Sequence, residues 1–156
     1  MTTADFAILW AAYRMGGLDA RRFPEGLDRD GFLDRMSESV GPSNVADMLI
    51  AAKVRAKQTP FPVGVVFGST DGWLIFPKVL WFPWATARNR LEAALAWVNE
   101  RRRTHQVYLD VPNSKADRRL PEVLCRYGVL DRTGVEPNWF GSRLDAMRYF
   151  SRRVEN

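Results

Sequence analysis

The chain has 156 residues, enough for one domain with a real hydrophobic core, and its 46% hydrophobic and 26% charged residues are ordinary for a globular protein. No apolar run approaches the roughly 18 residues of a membrane span, and Asp5 before the stretch Phe6–Ala12, with no basic segment ahead and no small-residue cleavage site behind, does not read as a signal peptide; an intracellular origin is expected. The net charge of +5 is spread over Arg21-Arg22, Lys53-Arg55-Lys57, Arg88-Arg90, Arg101–Arg103, Arg118-Arg119 and Arg152-Arg153, so a solvated surface with weak affinity for polyanions, DNA included, is expected rather than a nucleic-acid motif.

Ala4–Met15 predicts a buried helix, apolar on nearly every side and ended by Gly16-Gly17. Asp30–Val40 predicts an amphipathic helix with Phe32, Leu33, Met36 and Val40 on one face. Asp47–Lys57 is ambiguous between helix and strand. From Ile50 it alternates, with Ile50, Ala52, Val54 and Ala56 on one side and Lys53, Arg55 and Lys57 on the other, which favours a half-solvated strand. Val63–Phe67 is a β-branched strand, Ser69–Gly72 a turn cluster, and Trp73–Phe82 a second strand. Pro77 within it predicts an irregularity or an unpaired edge position. Thr86 suits a helix N-cap, and Arg88–Arg103 is a helix with Leu91, Ala94, Leu95 and Val98 toward the core. His105, the only histidine, follows that helix and reads as solvated. Gln106–Val111 is a buried strand closed by Pro112-Asn113-Ser114. Lys115–Tyr127 is helical, with Pro121 suited to the first turn of its second part and Gly128 as C-cap. Cys125, the only cysteine, excludes an internal disulfide or a cysteine zinc site and reads as a buried thiol. One Cys and one His argue against a Cys–His catalytic pair or a His-ligated metal. Val129–Val135 and Asp145–Ser151 form a closing hairpin joined by Glu136–Ser142. No linker or repeat is visible, so residues 1–156 are expected to be a single α/β (α+β) domain with a mixed sheet.

The stretch Val79–Leu95 is the most informative. An apolar strand runs through a short turn into a helix, and a helix N-terminus offers free N–H groups to a phosphate or pyrophosphate. The aromatic set Trp73, Phe76, Trp81, Phe82 and Trp84 reads as core plus an interaction surface, with Trp73, Trp81 and Trp84 as its candidates.

With this element order and its central strand–turn–helix hinge, residues 4–151 resemble the GNAT superfamily of N-acyltransferases. The resemblance implies a mostly antiparallel mixed sheet flanked by helices. It makes Lys78–Phe82 the family's fourth strand and Gln106–Val111 its fifth. It implies acetyl-CoA or another acyl-CoA as cofactor, with Thr86, Ala87, Arg88, Asn89 and Arg90 at its pyrophosphate. A narrower resemblance joins Trp81–Ala93, Asp71-Gly72-Trp73, Arg126–Leu130 and Asp145-Ala146-Met147 to small phage-encoded GNAT-like proteins, often encoded among virion structural genes.

The chain departs from the enzyme pattern. The family loop has the form Arg/Gln-x-x-Gly-x-Gly/Ala, whose glycines let backbone amides reach the phosphates. The corresponding Ala85–Arg90 contains no glycine, so the plainer reading is that Thr86 caps the helix and the arginines are solvated. Lys78–Phe82 carries no carboxylate to act as base, Asp71 reads as a turn former, and Glu92 as solvated. The family's acid tyrosine falls at Leu124, with Tyr127 displaced along the helix. These departures imply a catalytically degenerate protein with no cofactor, and the narrower resemblance implies that it is a virion structural protein, internal, ejected or near the portal or tail. Other virion proteins or further copies of itself are its expected partners, in the virion or the host cytoplasm. The alternative is an active acyl-CoA-dependent N-acyltransferase. A third reading, a small DNA-associated packaging protein, rests only on net charge.

Overall fold

The computed structural model describes residues 3–16, 18, 23–40, 45–51, 60–138 and 144–154. In chain order the elements are α1 (Thr3–Arg14), α2 (Arg29–Val40), β1 (Val45–Ala51), β2 (Phe61–Asp71), β3 (Leu74–Trp81), α3 (Ala87–Arg101), β4 (Gln106–Pro112), α4 (Lys115–Arg126), β5 (Leu130–Glu136) and β6 (Ala146–Ser151). Strand pairing gives one six-stranded sheet in the order β1-β2-β3-β4-β6-β5. The β3–β4 pair is parallel, and the β1–β2, β4–β6 and β5–β6 pairs are antiparallel. This is the mixed, mostly antiparallel α/β class expected from the sequence. The described residues fall into two compact units, one from Met1–Ser69 with Lys78–Arg90 and one from Thr70–Pro77 with Leu91–Asn156.

In the first unit, α1 and α2 cover one face of β2 and β3. Leu9, Phe32 and Met36 join Val65, Phe67, Leu80 and Phe82 in one buried cluster. Phe32 sits among aromatic neighbours, with Tyr13 stacked at 4.9 Å and Trp10 tilted at 5.4 Å. The Tyr13 hydroxyl closes the α1–α2 connection, donating to Pro24 O at 2.7 Å and accepting from Leu27 N–H at 2.8 Å. Asp28 Oδ1 accepts from Gly31 N–H at 2.7 Å and so caps α2.

The predicted α2 face is narrower than expected. Phe32 and Met36 are buried, but Leu33 is 45% exposed, because consecutive helix positions turn by about 100°. The Val40 side chain lies outside the described residues. The parity expected for β1 is reversed. Leu49 and Ala51 are buried and Ile50 is exposed, so β1 alternates without a break but presents the opposite face to the core; the extra residue at the register shift, Val63, lies on β2. Residues 52–57 of that predicted strand lie outside the described residues. The β2–β3 turn is also tighter than the Ser69–Gly72 cluster suggested, with β2 running on to Asp71 and Gly72-Trp73 making the reversal.

In the second unit, β3 pairs with β4 over Leu74↔Gln106 and Ile75↔Val107, two residues short of Pro77. Pro77 has no N–H to give a ladder, and this is the irregularity the sequence foretold. Helix α3 buries Ala93, Trp97 and Val98, while Leu91, Ala94 and Leu95 are half-buried, so its inward stripe is rotated from the predicted one toward Trp97. In β4 only Val107 is fully buried. Helix α4 packs on β4 and β5. Ser114 caps it by accepting from Asp117 N–H at 3.1 Å, and Pro121 lies inside one continuous helix rather than opening a second segment. The helix ends at Tyr127, after which Gly128 takes φ +77°, a conformation with little penalty only for glycine. The closing β5–β6 hairpin is as expected, with a bulge between Arg132 and Gly134; residues 139–143 of its connection lie outside the described residues.

Candidate functional site

The β3–α3 junction belongs to the first unit up to Arg90. Strand β3 ends against β2, where Phe82 N–H donates to Val63 O at 2.9 Å. A turn follows, closed by Ala85 N–H to Phe82 O at 3.0 Å. Trp84 is pinned over this turn. Its Nε1–H donates to Pro62 O at 2.7 Å, and its ring packs on Phe82 and Phe61. Thr86 then caps α3. Its Oγ1 accepts from Asn89 N–H at 3.1 Å, and the buried Asn89 side chain reaches back to Thr86 N–H at 3.4 Å. Ala87 and Arg88 are the first two helical residues, and their N–H groups have no acceptor among the described residues. Both residues are exposed.

Arg90 is half-buried over the Trp81 ring, 5.7 Å from its centroid. Its Nε is buried and donates to no acceptor among the described residues. Such an orphaned donor is costly unless something accepts from it. The five candidates Thr86–Arg90 therefore sit together but differ in part. Thr86 and Asn89 spend their side chains on each other, Ala87 and Arg88 offer amides, and Arg90 offers a buried guanidinium N–H. Together they suit an anionic group.

The candidate surface tryptophans are placed differently from one another. Trp73 is 57% exposed at the β2–β3 turn, whereas Trp81 and Trp84 are half-buried at the junction. Asp71 is exposed at the end of β2, and Glu92 is half-buried on α3. Leu124 is buried and Tyr127 is exposed at the α4 C-cap. His105 Nδ1 lies 2.8 Å from Thr104 Oγ1. Cys125 is half-buried rather than buried, since its helix end is open on one side, and burial still pushes its thiol above the usual range.

Two polar networks in the second unit escaped the sequence reading. On one sheet face, Arg148 bridges Asp110 at 3.1 Å and Glu136 at 3.2 Å and lies over Tyr108, tying β4, β6 and β5 together. Burial raises the Asp110 carboxyl, and the Arg148 charge opposes that rise. Alternation in Gln106–Val111 already places Gln106, Tyr108 and Asp110 on one face, so that signal was present. On the other face, the buried Tyr149 hydroxyl donates to Glu122 Oε1 at 2.9 Å, which also accepts from Arg118 at 3.0 Å and Arg132 at 3.3 Å. Burial and the Glu122 bond push the Tyr149 phenol up to about 12, and the Arg118 bond holds Glu122 low. No pattern within one element could reveal this set, since its members come from α4, β5 and β6. Among the described residues, no group of three His, Cys, Asp or Glu side chains is placed to hold a metal.

No protein-family model matches the chain, and no curated protein matches it in sequence. Solved structures do match in fold. A spermidine N-acetyltransferase chimera built from the Vibrio cholerae enzyme and hSSAT has a TM-score of 0.62 at 12% identity, covering 96% of this chain and 90% of its own. A GNAT-superfamily phosphinothricin acetyltransferase from Sinorhizobium meliloti, in complex with AcCoA, has a TM-score of 0.58 at 15% identity, covering 99% and 85%. A ribosomal-protein-alanine N-acetyltransferase from Brucella melitensis has a TM-score of 0.58 at 16% identity, covering 99% and 97%. The fold is thus that of the GNAT N-acetyltransferases.

Proposed function

We propose that residues 1–156 act as one acyl-CoA-dependent N-acyltransferase domain that holds the cofactor pyrophosphate at the N-terminus of α3. The observation that carries this reading is the β3–α3 junction. The Ala87 and Arg88 amides open α3, where the helix dipole favours an anion, and in the same first turn Arg90 carries a buried Nε with no acceptor among the described residues. The GNAT fold supplies the class of reaction, and one similar structure holds acetyl-CoA.

Bound acyl-CoA would supply a thioester carbonyl for an amine to attack. Ala87 and Arg88 would donate their amides to phosphate oxygens, Arg88 and Arg90 would add guanidinium donors, and the Thr86–Asn89 cap would hold those amides in place. In the register Ala85–Arg90, Arg88 and Arg90 stand where the family pattern has its glycines, so side-chain donors carry more of the binding. With no carboxylate on Lys78–Phe82 and Leu124 in the acid position, the amine proton is lost to water, and the protein acts through orientation. The test is acetyl-CoA turnover over a panel of amines. Saturable turnover that falls when Arg88 or Arg90 becomes alanine is expected. No turnover with any amine or acyl chain would contradict the reading.

A second reading is favoured by the closed Thr86–Asn89 cap and the glycine-free loop. In it the chain is a catalytically silent structural protein of a phage particle. It would meet other virion proteins through Trp73, Trp81 and Trp84, in the virion or the host cytoplasm. Mass spectrometry of purified particles tests it. Stoichiometric presence supports it and absence removes it.

A further inference from the structure

The second unit carries an open basin of about 800 Å³ that the β3–α3 junction does not use. Trp73 from the β2–β3 turn, Tyr108 from β4 and Phe150 from β6 line it. Tyr108 and Phe150 are register partners with ring centroids 4.6 Å apart, edge to face. Trp73 is 57% exposed, a large aromatic face left in water. Gln106 also lines the basin. Its Nε2 donates to Ser151 O and Oγ, and its Oε1 has no donor among the described residues.

Cations frame this aromatic floor. Arg152 and Arg153 line the basin. Asp131 balances Arg152 at 2.9 Å, while Arg153 is exposed and has no ion-pair partner among the described residues. Arg102, held by its Nε–H to Asn99 Oδ1 at 3.0 Å, donates to Arg152 O at 3.3 Å beside this rim, and the next residue, Arg103, is exposed. Arg102 therefore adds a third guanidinium next to the two that line the basin.

We infer that this basin binds single-stranded nucleic acid, with a base stacked on Trp73 and phosphates running past Arg153, Arg102 and Arg103. Aromatic faces accept any base, and guanidinium groups pair with successive phosphates, so the combination recognises a polynucleotide without reading its sequence. A second copy of the chain fits poorly, because a two-fold contact would set these arginines against themselves in a chain already at +5. An acidic peptide would answer the arginines and leave the exposed indole without a stacking partner.

The test uses the full chain and a fluorescently labelled deoxythymidine 12-mer, followed by anisotropy at about 50 and 200 mM salt. Binding that weakens with salt is expected. Trp73→Ala should weaken it about tenfold. Arg153→Ala should lower affinity and reduce the salt slope by about one, while Arg119→Ala, which removes an equal charge from α4, should do neither. Four results would each overturn the inference: no binding at the lower salt, Trp73→Ala binding like the parent, Arg119→Ala weakening binding as much as Arg153→Ala, or polyglutamate displacing the oligonucleotide as well as unlabelled 12-mer does.

Discussion

Gly64→Ala probes the part of the first unit on which the β3–α3 junction stands. Gly64 lies in β2 against the end of β3. A Cβ there would sit 2.8 Å from Leu80 O, 2.9 Å from Trp81 Cε3 and 3.4 Å from Trp81 Cα. Ordinary contact begins near 3.4 Å, so the two strands would have to part by about 0.6 Å. Two of the three obstacles are backbone atoms, which cannot rotate away. Val65 and Leu80, beside the clash, belong to the buried cluster under α1 and α2, which leaves little slack. Overpacking of this kind costs about 1–3 kcal/mol, beyond the few tenths gained by removing a flexible glycine from the unfolded chain. At about 2 kcal/mol, and about 2–4 °C per kcal/mol for a chain of this size, Tm should fall by about 4–8 °C. The assay is thermal unfolding by circular dichroism at fixed protein concentration. Gly31→Ala in α2 is the control. There the nearest atom is Asp28 Oδ1 at 3.1 Å, the α2 cap; any loosening of that cap, about 1 kcal/mol at most, is offset by the similar gain of alanine over glycine in a helix, and Tm should stay within about 2 °C of the parent. A Gly64→Ala protein melting within about 1 °C of the parent would refute the close-approach argument.

Thr86→Ala removes the acceptor for Asn89 N–H and should cost about 1 kcal/mol, a Tm drop of about 2–4 °C that Thr86→Ser avoids; equal melting of the alanine and serine variants would contradict the cap. The Tyr149 phenol is raised from 10.0 to about 12 in the folded state, so its contribution is complete below pH 10 and lost as pH rises through about 12. Tyr149→Phe should flatten the alkaline stability loss measured by denaturant titration, and an unchanged slope would oppose this. Glu122 is held below its ordinary 4.5, so its contribution is present above that pH and lost as pH falls through the folded value. Glu122→Gln should remove that acid-side loss, and a variant as acid-sensitive as the parent would oppose it.

Much of the fold was legible because single elements carry their own punctuation. Gly16, Thr86, Ser114 and Gly128 stand at or beside helix ends, and the strand–turn–helix passage through Phe82–Arg90 is written in apolar residues and a cap. What failed depended on neighbours. Which face of β1 turns inward depends on its pairing with β2, which alternation within β1 alone cannot define. The inward stripe of α3 turned toward Trp97 because packing, not periodicity, chose among several apolar residues. At the junction the sequence supplied the residues and the cap. The buried Arg90 Nε over Trp81 could not be read, since it depends on how β3 and the first turn of α3 meet.

The central claim is that the N-terminus of α3 holds an acyl-CoA pyrophosphate, and calorimetric titration with acetyl-CoA at moderate salt tests it most directly. The account predicts micromolar binding to the parent chain, weakened about tenfold or more by Arg88→Ala or Arg90→Ala, the loss of one charge-assisted contact each. No heat of binding to a folded parent chain, or binding that both substitutions leave unchanged, would contradict it.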